Sequence, residues 1–490
     1  MFDRIKRLGS DTAIYGVSTI LGRFLTFILT PIYTHILVPG DLGIVATVYA
    51  YIAVLNVVYG YGMEAAYMKY ASTLEIGEKK QIFSVPFVSV GLTSVLFSGF
   101  ILWRADPIAA LINLPAGFEQ LVIYSAVILL LDGLTIVPFA SLRMAGKAAR
   151  FATIRVTGIV VNVLCNLLFL IEFEMGVEGI FFAGMISSAT NLLLLLPTII
   201  PQLELAWNGR LYEALIRFGL PYVPAGLASM MIQVVNRPIL ESLKGTAAVG
   251  VFQANYRLGI FMMLIVSMYD FAWRPFFLAH ASDPDAKPLF ARILTYFLLL
   301  AATVFLFLSF FLEDIVKLPV FWGHTLLAEP YWGGLYIVPV VLLAYIFLGV
   351  YNNLLAGVYI EKKTQILPIV TISGAAVNVA VNYLLIPSLD LMGAALATLA
   401  SYLVMALLLY LLVQRFYHVR YELGRIAKIA LAASSVYLVY AYLPDGPYAV
   451  VGKLLLFLLF GLVMYLLRFF NPSELAGIRS MFKKPASPDR

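Results

Sequence analysis

Short polar loops divide this chain into fourteen apolar segments, each about as long as a helix that crosses the hydrocarbon core of a bilayer. Hydrophobic residues make up 62% of the 490 residues and charged residues only 12%, a composition that excludes a soluble globular protein of this size. The sequence therefore predicts an all-α polytopic membrane protein with 14 transmembrane helices. The predicted spans are 12–35, 42–63, 83–103, 119–142, 151–172, 178–200, 217–242, 247–272, 289–312, 334–358, 365–386, 391–413, 427–443 and 449–470.

An internal repeat relates the first six predicted spans to the next six. The residues that match at offsets of 207 and 216 are Pro31 with Pro238, Gly43 with Gly250, Tyr49 with Tyr256, Asn162 with Asn378, and Asn166 with Asn382. Because each unit has an even number of spans, the two copies share one orientation, as in parallel-repeat transporters that bind substrate between the repeats. We therefore expect one six-helix bundle in 1–206, a second in 207–414, and helices 13 and 14 with a polar tail in 415–490.

The distribution of basic residues predicts the orientation. Of the 33 lysines and arginines, 25 lie in the segments on the side of the N-terminus or at the span ends next to them, five lie deeper within predicted spans, and three lie in the opposite loops. Because cytoplasmic loops are rich in lysine and arginine, this bias predicts a multi-pass protein with both termini in the cytoplasm. The same rule explains the net charge of +6 without any nucleic-acid partner.

The first span carries an arginine in its middle. Arg23 lies 11 residues after Thr12 and 12 residues before His35, so about 16 Å of helix separates it from either membrane surface. A guanidinium at that depth must face water, an acid or an anionic ligand. The polar residues of this span recur at intervals of three and four on one helical face, which predicts a helix that lines a cavity; they are Tyr15, Thr19, Gly22, Thr26, Thr30 and Tyr33.

Four further basic residues fall within predicted spans. Arg257 lies ten residues into the eighth span, and either a cavity or a structural ion pair would account for it. Arg237 lies close enough to the end of the seventh span that snorkelling to the surface competes with a cavity role. Arg155 and Lys453 lie near span ends, which favours snorkelling. The polar residues that we predict as the wall of a cavity around these arginines are Tyr15, Thr19, Asn56, Gln233 and Asn255.

Two acidic residues are candidates for coupling transport to an ion, either H⁺ or Na⁺. Asp132 lies in an apolar run in the middle of the fourth span, where an unpaired carboxylate would be costly. It is protonated, paired with an arginine, or a coupling site. Glu64 ends the second span. The alternative to a coupling role for Glu64 is a solvated position at the inner membrane surface. The repeated asparagine pairs, spaced i and i+4, favour helix packing over ligand binding.

Signatures of enzymes and of cofactor sites are missing from the sequence. It contains no phosphate-cradling Walker loop, and its four histidines are too scattered to predict a metal site. We therefore expect a transporter without a catalytic residue, a metal or a cofactor. The largest loop on the outer side, about 313–333, contains Trp322, Tyr331 and Trp332, which are typical of an interfacial aromatic belt.

Several motifs resemble those of Wzx-type O-antigen flippases, which belong to the multidrug/oligosaccharidyl-lipid/polysaccharide (MOP) exporter superfamily. They cover spans 1–12 and are Tyr15–Ser18, Gly22-Arg23, Pro31–Thr34, Leu42-Gly43, Gly60–Glu64, Gly250–Leu258, and Asn378 with Asn382 and Gly393–Ala395. The resemblance implies two six-helix bundles with spans 1, 2, 7 and 8 around a central cavity. It also implies alternating access that carries an undecaprenyl-diphosphate-linked oligosaccharide across the bacterial inner membrane for surface polysaccharide biosynthesis.

In the related lipid II flippases, arginines in the first and eighth helices line the cavity, and Arg23 and Arg257 lie in the corresponding helices. We therefore predict that Arg23 and Arg257, together with Arg237, bind the diphosphate, because arginine binds phosphate oxygens in bidentate fashion. The expected partners are this lipid-linked substrate, membrane lipids, a coupling ion, and other polysaccharide-assembly proteins. Two alternatives remain at this point: a cation-coupled multidrug antiporter of the same superfamily, and a membrane glycan polymerase or ligase.

Overall fold

The computed structural model describes residues 2–204, 207–319, 323–442 and 449–470, and all of their side chains except those of 2–15 and 17–19. Within these ranges the chain forms α-helices and no β-strand. The helices are α1 (Phe2–Ile36), α2 (Pro39–Gly60), α3 (Met63–Thr73), α4 (Lys79–Trp103), α5 (Ala105–Leu111), α6 (Gln120–Met144), α7 (Ala148–Leu167), α8 (Gly176–Ile199), α9 (Gly209–Gly219), α10 (Tyr222–Val234), α11 (Asn236–Lys244), α12 (Thr246–Arg257), α13 (Ile260–Ala279), α14 (Ala286–Lys317), α15 (Val338–Ile360), α16 (Ile366–Leu389), α17 (Leu391–Val413), α18 (Leu423–Tyr440) and α19 (Ala449–Leu466).

In the described part of the chain, 12 helices are long and apolar enough to cross a membrane, and the bent pair α9–α10 raises the number to 13. The remaining predicted span is α1, whose described apolar segment is Ile20–Ile36. The prediction of an all-α polytopic membrane protein is therefore confirmed. Three of the predicted spans are divided into shorter helices. Span 2 corresponds to α2 and α3, span 7 to α9, α10 and α11, and span 8 to α12 and α13.

Most helices pack on neighbours from the same half of the sequence, and we refer to the helices of the two halves as the two bundles. In the first half, α4 and α8 pack on α6, and α7 packs on α1 and α8. In the second half, α15 and α16 pack on α17, α13 packs on α15, and α10 packs on α16. The last two helices, α18 and α19, pack on each other and on α14, outside the two bundles.

The two bundles touch through glycines at both ends of α2. At the end predicted to face outward, Gly43 of α2 meets Gly250 of α12, and a Cβ on Gly250 would overlap the carbonyl oxygen of Pro39. At the opposite end, Gly62 meets the backbone of Gly219, and its φ of +79° is a left-handed conformation that favours glycine. Close approach of the two backbones therefore requires the absence of a side chain at both ends.

The loop between α14 and α15 has a different role from the predicted aromatic belt. Tyr331 is fully buried, and its hydroxyl donates a 2.8 Å hydrogen bond to the carbonyl oxygen of Leu37. The indole of Trp332 donates to the carbonyl oxygen of Leu327 at 2.8 Å. The interpretation of Tyr331 as an interfacial anchor is wrong, because its hydroxyl caps the end of α1 inside the protein. Trp322 lies outside the described residues.

Candidate functional site

A cavity of about 560 Å³ lies between the two halves of the chain, and four arginines line it. We call it the central cavity. Helices α1, α7, α11, α12 and α13 surround it, together with Tyr345 of α15. Its basic lining residues are Arg23, Arg155, Arg237 and Arg257. Three of them were predicted as substrate-binding residues, and the tertiary structure brings these three together from three different helices.

Arg23 links the two halves directly. Its Nη1 atom donates a 2.8 Å hydrogen bond to Ser267 Oγ of α13, while the side chain stays exposed to the cavity. The Ser267 hydroxyl in turn donates to the carbonyl oxygen of Met263 at 2.8 Å, which fixes its orientation. Next to Arg23, a Cβ on Gly22 would lie 2.7 Å from Ile159. The absence of a side chain at Gly22 therefore lets α1 pack closely on α7.

Arg257 and Arg237 enter the cavity from the second half. Arg257 Nη1 lies 3.4 Å from the Thr30 hydroxyl, and its guanidinium carbon lies 5.7 Å from the centre of the Tyr33 ring. Arg237 is only 8% exposed, which rules out snorkelling to the membrane surface. Its Nε atom donates to Gln253 Oε1 at 2.7 Å. These contacts hold both guanidinium groups in fixed orientations.

Arg155 is a cavity residue that the sequence analysis missed. Its guanidinium carbon lies 4.2 Å from the centre of the Phe139 ring, a distance typical of a cation–π contact. The snorkelling interpretation of Arg155 is therefore wrong, because the packing of α7 on α1 and α8 points this side chain inward. Lys453 is also buried rather than extended to the surface, and its Nζ atom lies 2.6 Å from Asp314 Oδ2 of α14.

The central cavity is rich in positive charge that forms no close ion pair. Among the described residues, none of its four arginines forms an ion pair with a carboxylate; the arginines that do so are Arg143, Arg217, Arg274 and Arg425. Arg237 is buried and Arg257 is partly buried, whereas Arg23 and Arg155 are exposed to the cavity. Because a buried cation without a partner is costly, this cluster indicates a site where an anion supplies the missing charge.

Two further cavities adjoin the central one. The first, which we call the side cavity, has a volume of about 470 Å³ and shares Thr26, Arg237, Gln253 and Arg257 with the central cavity. The second, which we call the inner cavity, has a volume of about 570 Å³ and shares Arg155 with the central cavity. Asp132 and Asn56 line both the side and the inner cavity. The three cavities are therefore neighbours that share polar lining residues.

The two candidate coupling acids have different surroundings. Asp132 faces the side and inner cavities, and its Oδ1 atom accepts a 2.7 Å hydrogen bond from Ser188 of α8. Glu64 forms an ion pair with Arg143 at the edge of the inner cavity. In the described part of the chain, no group of three or more histidine, cysteine or acidic residues is placed to hold a metal ion.

Of the residues predicted as cavity wall, Asn56 lines the side and inner cavities. Asn255 does not belong to the wall, because it is fully buried and its amide donates to the carbonyl oxygens of Val251 and Tyr331 at 2.8 Å. The Gln233 side chain lies outside the three cavities, although its carbonyl oxygen accepts a hydrogen bond from Arg237. Tyr15 and Thr19 lie outside the described side chains.

The repeated asparagine pairs form hydrogen bonds within their own helices. Asn166 and Asn382 each donate to the carbonyl oxygen one turn earlier at 2.8 Å. Asn166 also accepts a 2.8 Å hydrogen bond from the Tyr33 hydroxyl, which ties α7 to α1. These contacts support the packing role for Asn166, whereas the hydrogen bonds of Asn382 stay within α16 and Asn162 faces the side cavity.

Comparison with known proteins identifies the family of this chain and other structures with the same fold. Residues 32–327 match the family described as polysaccharide biosynthesis protein. None of the curated proteins with which the sequence was compared matches it.

Solved structures of MOP-superfamily transporters resemble this one over most of the chain. The lipid II flippase MurJ in an inward closed conformation has a TM-score of 0.72 at 15% identity, with 92% of this chain and 99% of that chain covered. An inward-facing MATE family multidrug resistance transporter has a TM-score of 0.64 at 17% identity, with coverage of 84% and 96%. A transporter from Pyrococcus furiosus with a binding pocket of reverse polarity has a TM-score of 0.59 at 17% identity, with coverage of 86% and 96%. The chain therefore has a MOP-type transporter fold.

Proposed function

Because the chain belongs to the polysaccharide biosynthesis protein family, we propose that it is a flippase for an oligosaccharide linked to undecaprenyl diphosphate. It moves this lipid from the cytoplasmic to the periplasmic leaflet of the bacterial inner membrane, with both of its own termini in the cytoplasm. The observation that carries the proposal is the set of four arginines around one cavity, none of them in a described ion pair with a carboxylate.

A diphosphate fits the charge and the geometry of this cavity. Guanidinium groups bind phosphate oxygens through two parallel hydrogen bonds and keep their charge at any physiological pH. Arg23 comes from the first bundle, and Arg237 and Arg257 come from the second. One diphosphate held by all three would therefore bridge the two bundles, and the prenyl tail would stay in the surrounding lipid.

Preorganisation supports the same assignment. Gln253 and the carbonyl oxygen of Gln233 orient Arg237, and Ser267 orients Arg23. Neutral partners of this kind position a cation without cancelling its charge, so the guanidinium groups remain available to an anion. Arg155 is the fourth residue that we assign to this diphosphate site.

Alternating access follows from contacts between the bundles. The backbones of α2 and α12 touch at Gly43 and Gly250, and α1 touches α13 through Arg23 and Ser267. A diphosphate that binds Arg23 competes with Ser267 for the same guanidinium. Substrate binding thus weakens one contact between the bundles, which would allow them to rearrange around the bound lipid.

We assign the two bundles to residues 1–206 and 207–414, and helices 13 and 14 with the tail to 415–490. Transport is coupled to H⁺ or Na⁺ through Asp132 or Glu64, and other polysaccharide-assembly proteins supply and receive the lipid. The multidrug-antiporter alternative is disfavoured because four cations line the central cavity, and they would repel a cationic drug. The polymerase or ligase alternative has less support, because the solved structures that resemble this chain are those of transporters and of a flippase.

The test is a flipping assay with purified protein in lipid vesicles that contain a fluorescent undecaprenyl-diphosphate-linked oligosaccharide. Removing one charge-assisted contact costs about 1.5–3 kcal/mol, which corresponds to about ten- to a hundredfold in affinity. We expect Arg23→Gln and Arg257→Gln to reduce flipping by at least about tenfold. Arg210→Gln is the matched control, because Arg210 lies on α9 outside the three cavities. Wild-type flipping by both cavity variants would refute the site, and no flipping by the wild-type protein would refute the function.

A further inference from the structure

The side cavity differs chemically from the central cavity. Apart from the two arginines that it shares with the central cavity, its polar lining consists of an acid, amides and hydroxyls: Thr26, Tyr33, Tyr49, Asn56, Asp132, Asn162, Ser187, Ser188 and Gln253. All of these except Arg237, Gln253 and Arg257 belong to the first half of the chain, on α1, α2, α6, α7 and α8. This set mixes hydrogen-bond donors with acceptors, as binding sites for neutral polar ligands do.

Several of these polar groups retain hydrogen-bonding capacity toward the cavity. Asp132 accepts hydrogen bonds from Ser188 and Asn56, and a carboxylate has about four acceptor positions. Asn162 uses its carbonyl groups as acceptors from Asn166, and its Nδ2 atom donates no hydrogen bond among those found in the described residues. Ser187 donates to the carbonyl oxygen of Gly158, which leaves its own oxygen free to accept.

The side cavity begins where the diphosphate site ends. Arg237 and Arg257 line both cavities. A diphosphate held by these two guanidinium groups therefore lies at the entrance to the side cavity. In a lipid-linked oligosaccharide the first sugar is bonded directly to the diphosphate, so this sugar would lie within the side cavity.

We propose that the side cavity is the subsite for the sugar attached to the diphosphate, with Asp132 accepting hydrogen bonds from sugar hydroxyls and Asn162 donating to a sugar oxygen. This inference rests on the proposed function and adds a specificity site to it. The volume of about 470 Å³ is within the usual range for pockets that bind small organic ligands, about 300–1,000 Å³. Asp132 would then select for hydroxyl donors in the sugar.

A metal or alkali cation fits this cavity less well. Hard cations such as Ca²⁺ require about six to eight oxygen ligands that converge on one point. Among the described residues, Asp132 is the one carboxylate that lines the side cavity, and the guanidinium groups of Arg237 and Arg257 line the same space and would repel a metal ion. Coupling through Asp132 would therefore use its protonation, whereas Na⁺ would require Glu64. A sugar carries no charge in this region and needs only directed hydrogen bonds.

Two ligands test the subsite separately from the diphosphate site. The affinity for bare undecaprenyl diphosphate measures binding at the diphosphate site alone. The affinity for the lipid-linked oligosaccharide, extracted from the producing cells, measures binding at the diphosphate site and the side cavity together. We expect the wild-type protein to bind the sugar-bearing lipid at least about tenfold more tightly, since two or three hydrogen bonds contribute about 1 kcal/mol each. Asp132→Asn and Asn162→Ala should reduce this preference to below about threefold. Asn162→Ala should leave the affinity for the bare lipid unchanged, and Asp132→Asn should bind the bare lipid at least as tightly as the wild type, because it removes a negative charge near Arg155.

Retained binding of the bare lipid by each variant also shows that the variant is folded. Thr190→Ala on α8 is the matched control, because Thr190 lines none of the three cavities and should retain the full preference. The inference is overturned if both variants keep the wild-type preference for the sugar-bearing lipid. It is also overturned if Asp132→Asn changes only the dependence of transport on Na⁺ or pH. Failure of the wild-type protein to bind the bare lipid would instead refute the proposed function.

Discussion

Arg23 of α1 and Ser267 of α13, which are 244 residues apart in the sequence, are joined by a 2.8 Å hydrogen bond across the boundary between the two bundles. The bond uses one nitrogen of a guanidinium that also lines the central cavity. Arg23 therefore has two possible partners, the neutral hydroxyl of Ser267 and an anion in the cavity. An anion is the stronger partner, because charge-assisted hydrogen bonds are roughly twice as strong as neutral ones.

Ser267→Ala tests whether this bond holds the bundles together. The variant removes the acceptor and leaves the charge of Arg23 in place, so α1 should separate from α13 more often. We expect a Cys at position 26, introduced as Thr26→Cys in a Cys165→Ser background, to react about two- to tenfold faster with a water-soluble maleimide. Thr26 lines the central cavity, and Cys165 is the single native cysteine.

Ser72→Ala is the control for this experiment, because Ser72 is exposed and its hydroxyl donates only to the nearby carbonyl oxygen of Lys69. Its labelling rate should equal that of the Thr26→Cys parent. An unchanged rate in Ser267→Ala would show that other contacts keep the bundles closed.

Gly250→Ala tests the contact between the bundles at the predicted outer end. The added methyl group would overlap the carbonyl oxygen of Pro39, so α2 and α12 cannot keep their present distance. Overpacking of this kind costs about 1–3 kcal/mol. We expect a lower thermal unfolding temperature in detergent micelles.

Gly461→Ala on α19 is the matched control, since a Cβ at Gly461 meets no atom within 4 Å. This variant should be neutral or more stable by up to about 1 kcal/mol, because alanine favours a helix over glycine. Equal unfolding temperatures for the two variants would contradict close packing of α2 on α12.

Lys453→Met tests how α19 is attached to α14. The Nζ atom of Lys453 lies 2.6 Å from Asp314 Oδ2, and the lysine is only 9% exposed. Its removal leaves a half-buried carboxylate without its cation, so we expect a loss of about 1–3 kcal/mol in the free energy of unfolding. The double variant with Asp314→Asn should recover part of this loss.

The exposed pair between Arg217 and Glu213 provides the control for Lys453→Met. Arg217→Met should change the free energy of unfolding by no more than about 0.5 kcal/mol, because exposed ion pairs contribute little. Equal effects of Arg217→Met and Lys453→Met on thermal unfolding would show that burial does not strengthen the α19 attachment.

Local patterns were sufficient for some parts of the site and not for others. Arg23 and Arg257 could be assigned from their depth in apolar segments, because a charge at that depth needs a polar environment. Arg155 was missed because it lies five residues beyond Arg150, near a predicted span end, and the sequence does not show that Phe139 of α6 packs against it. Asn255 was assigned wrongly because it is two residues from Arg257, and residues two apart on a helix face different directions.

The sequence by itself determined the all-α membrane fold and the presence of cationic side chains within apolar segments, since both follow from hydrophobicity along one chain. Tertiary structure alone decided that the four arginines meet in one cavity and that Asp132 lines the two neighbouring cavities. The physical reason is that a helical period identifies which residues share a face. Only the packing of distant helices decides whether that face meets lipid, a neighbouring helix or a cavity.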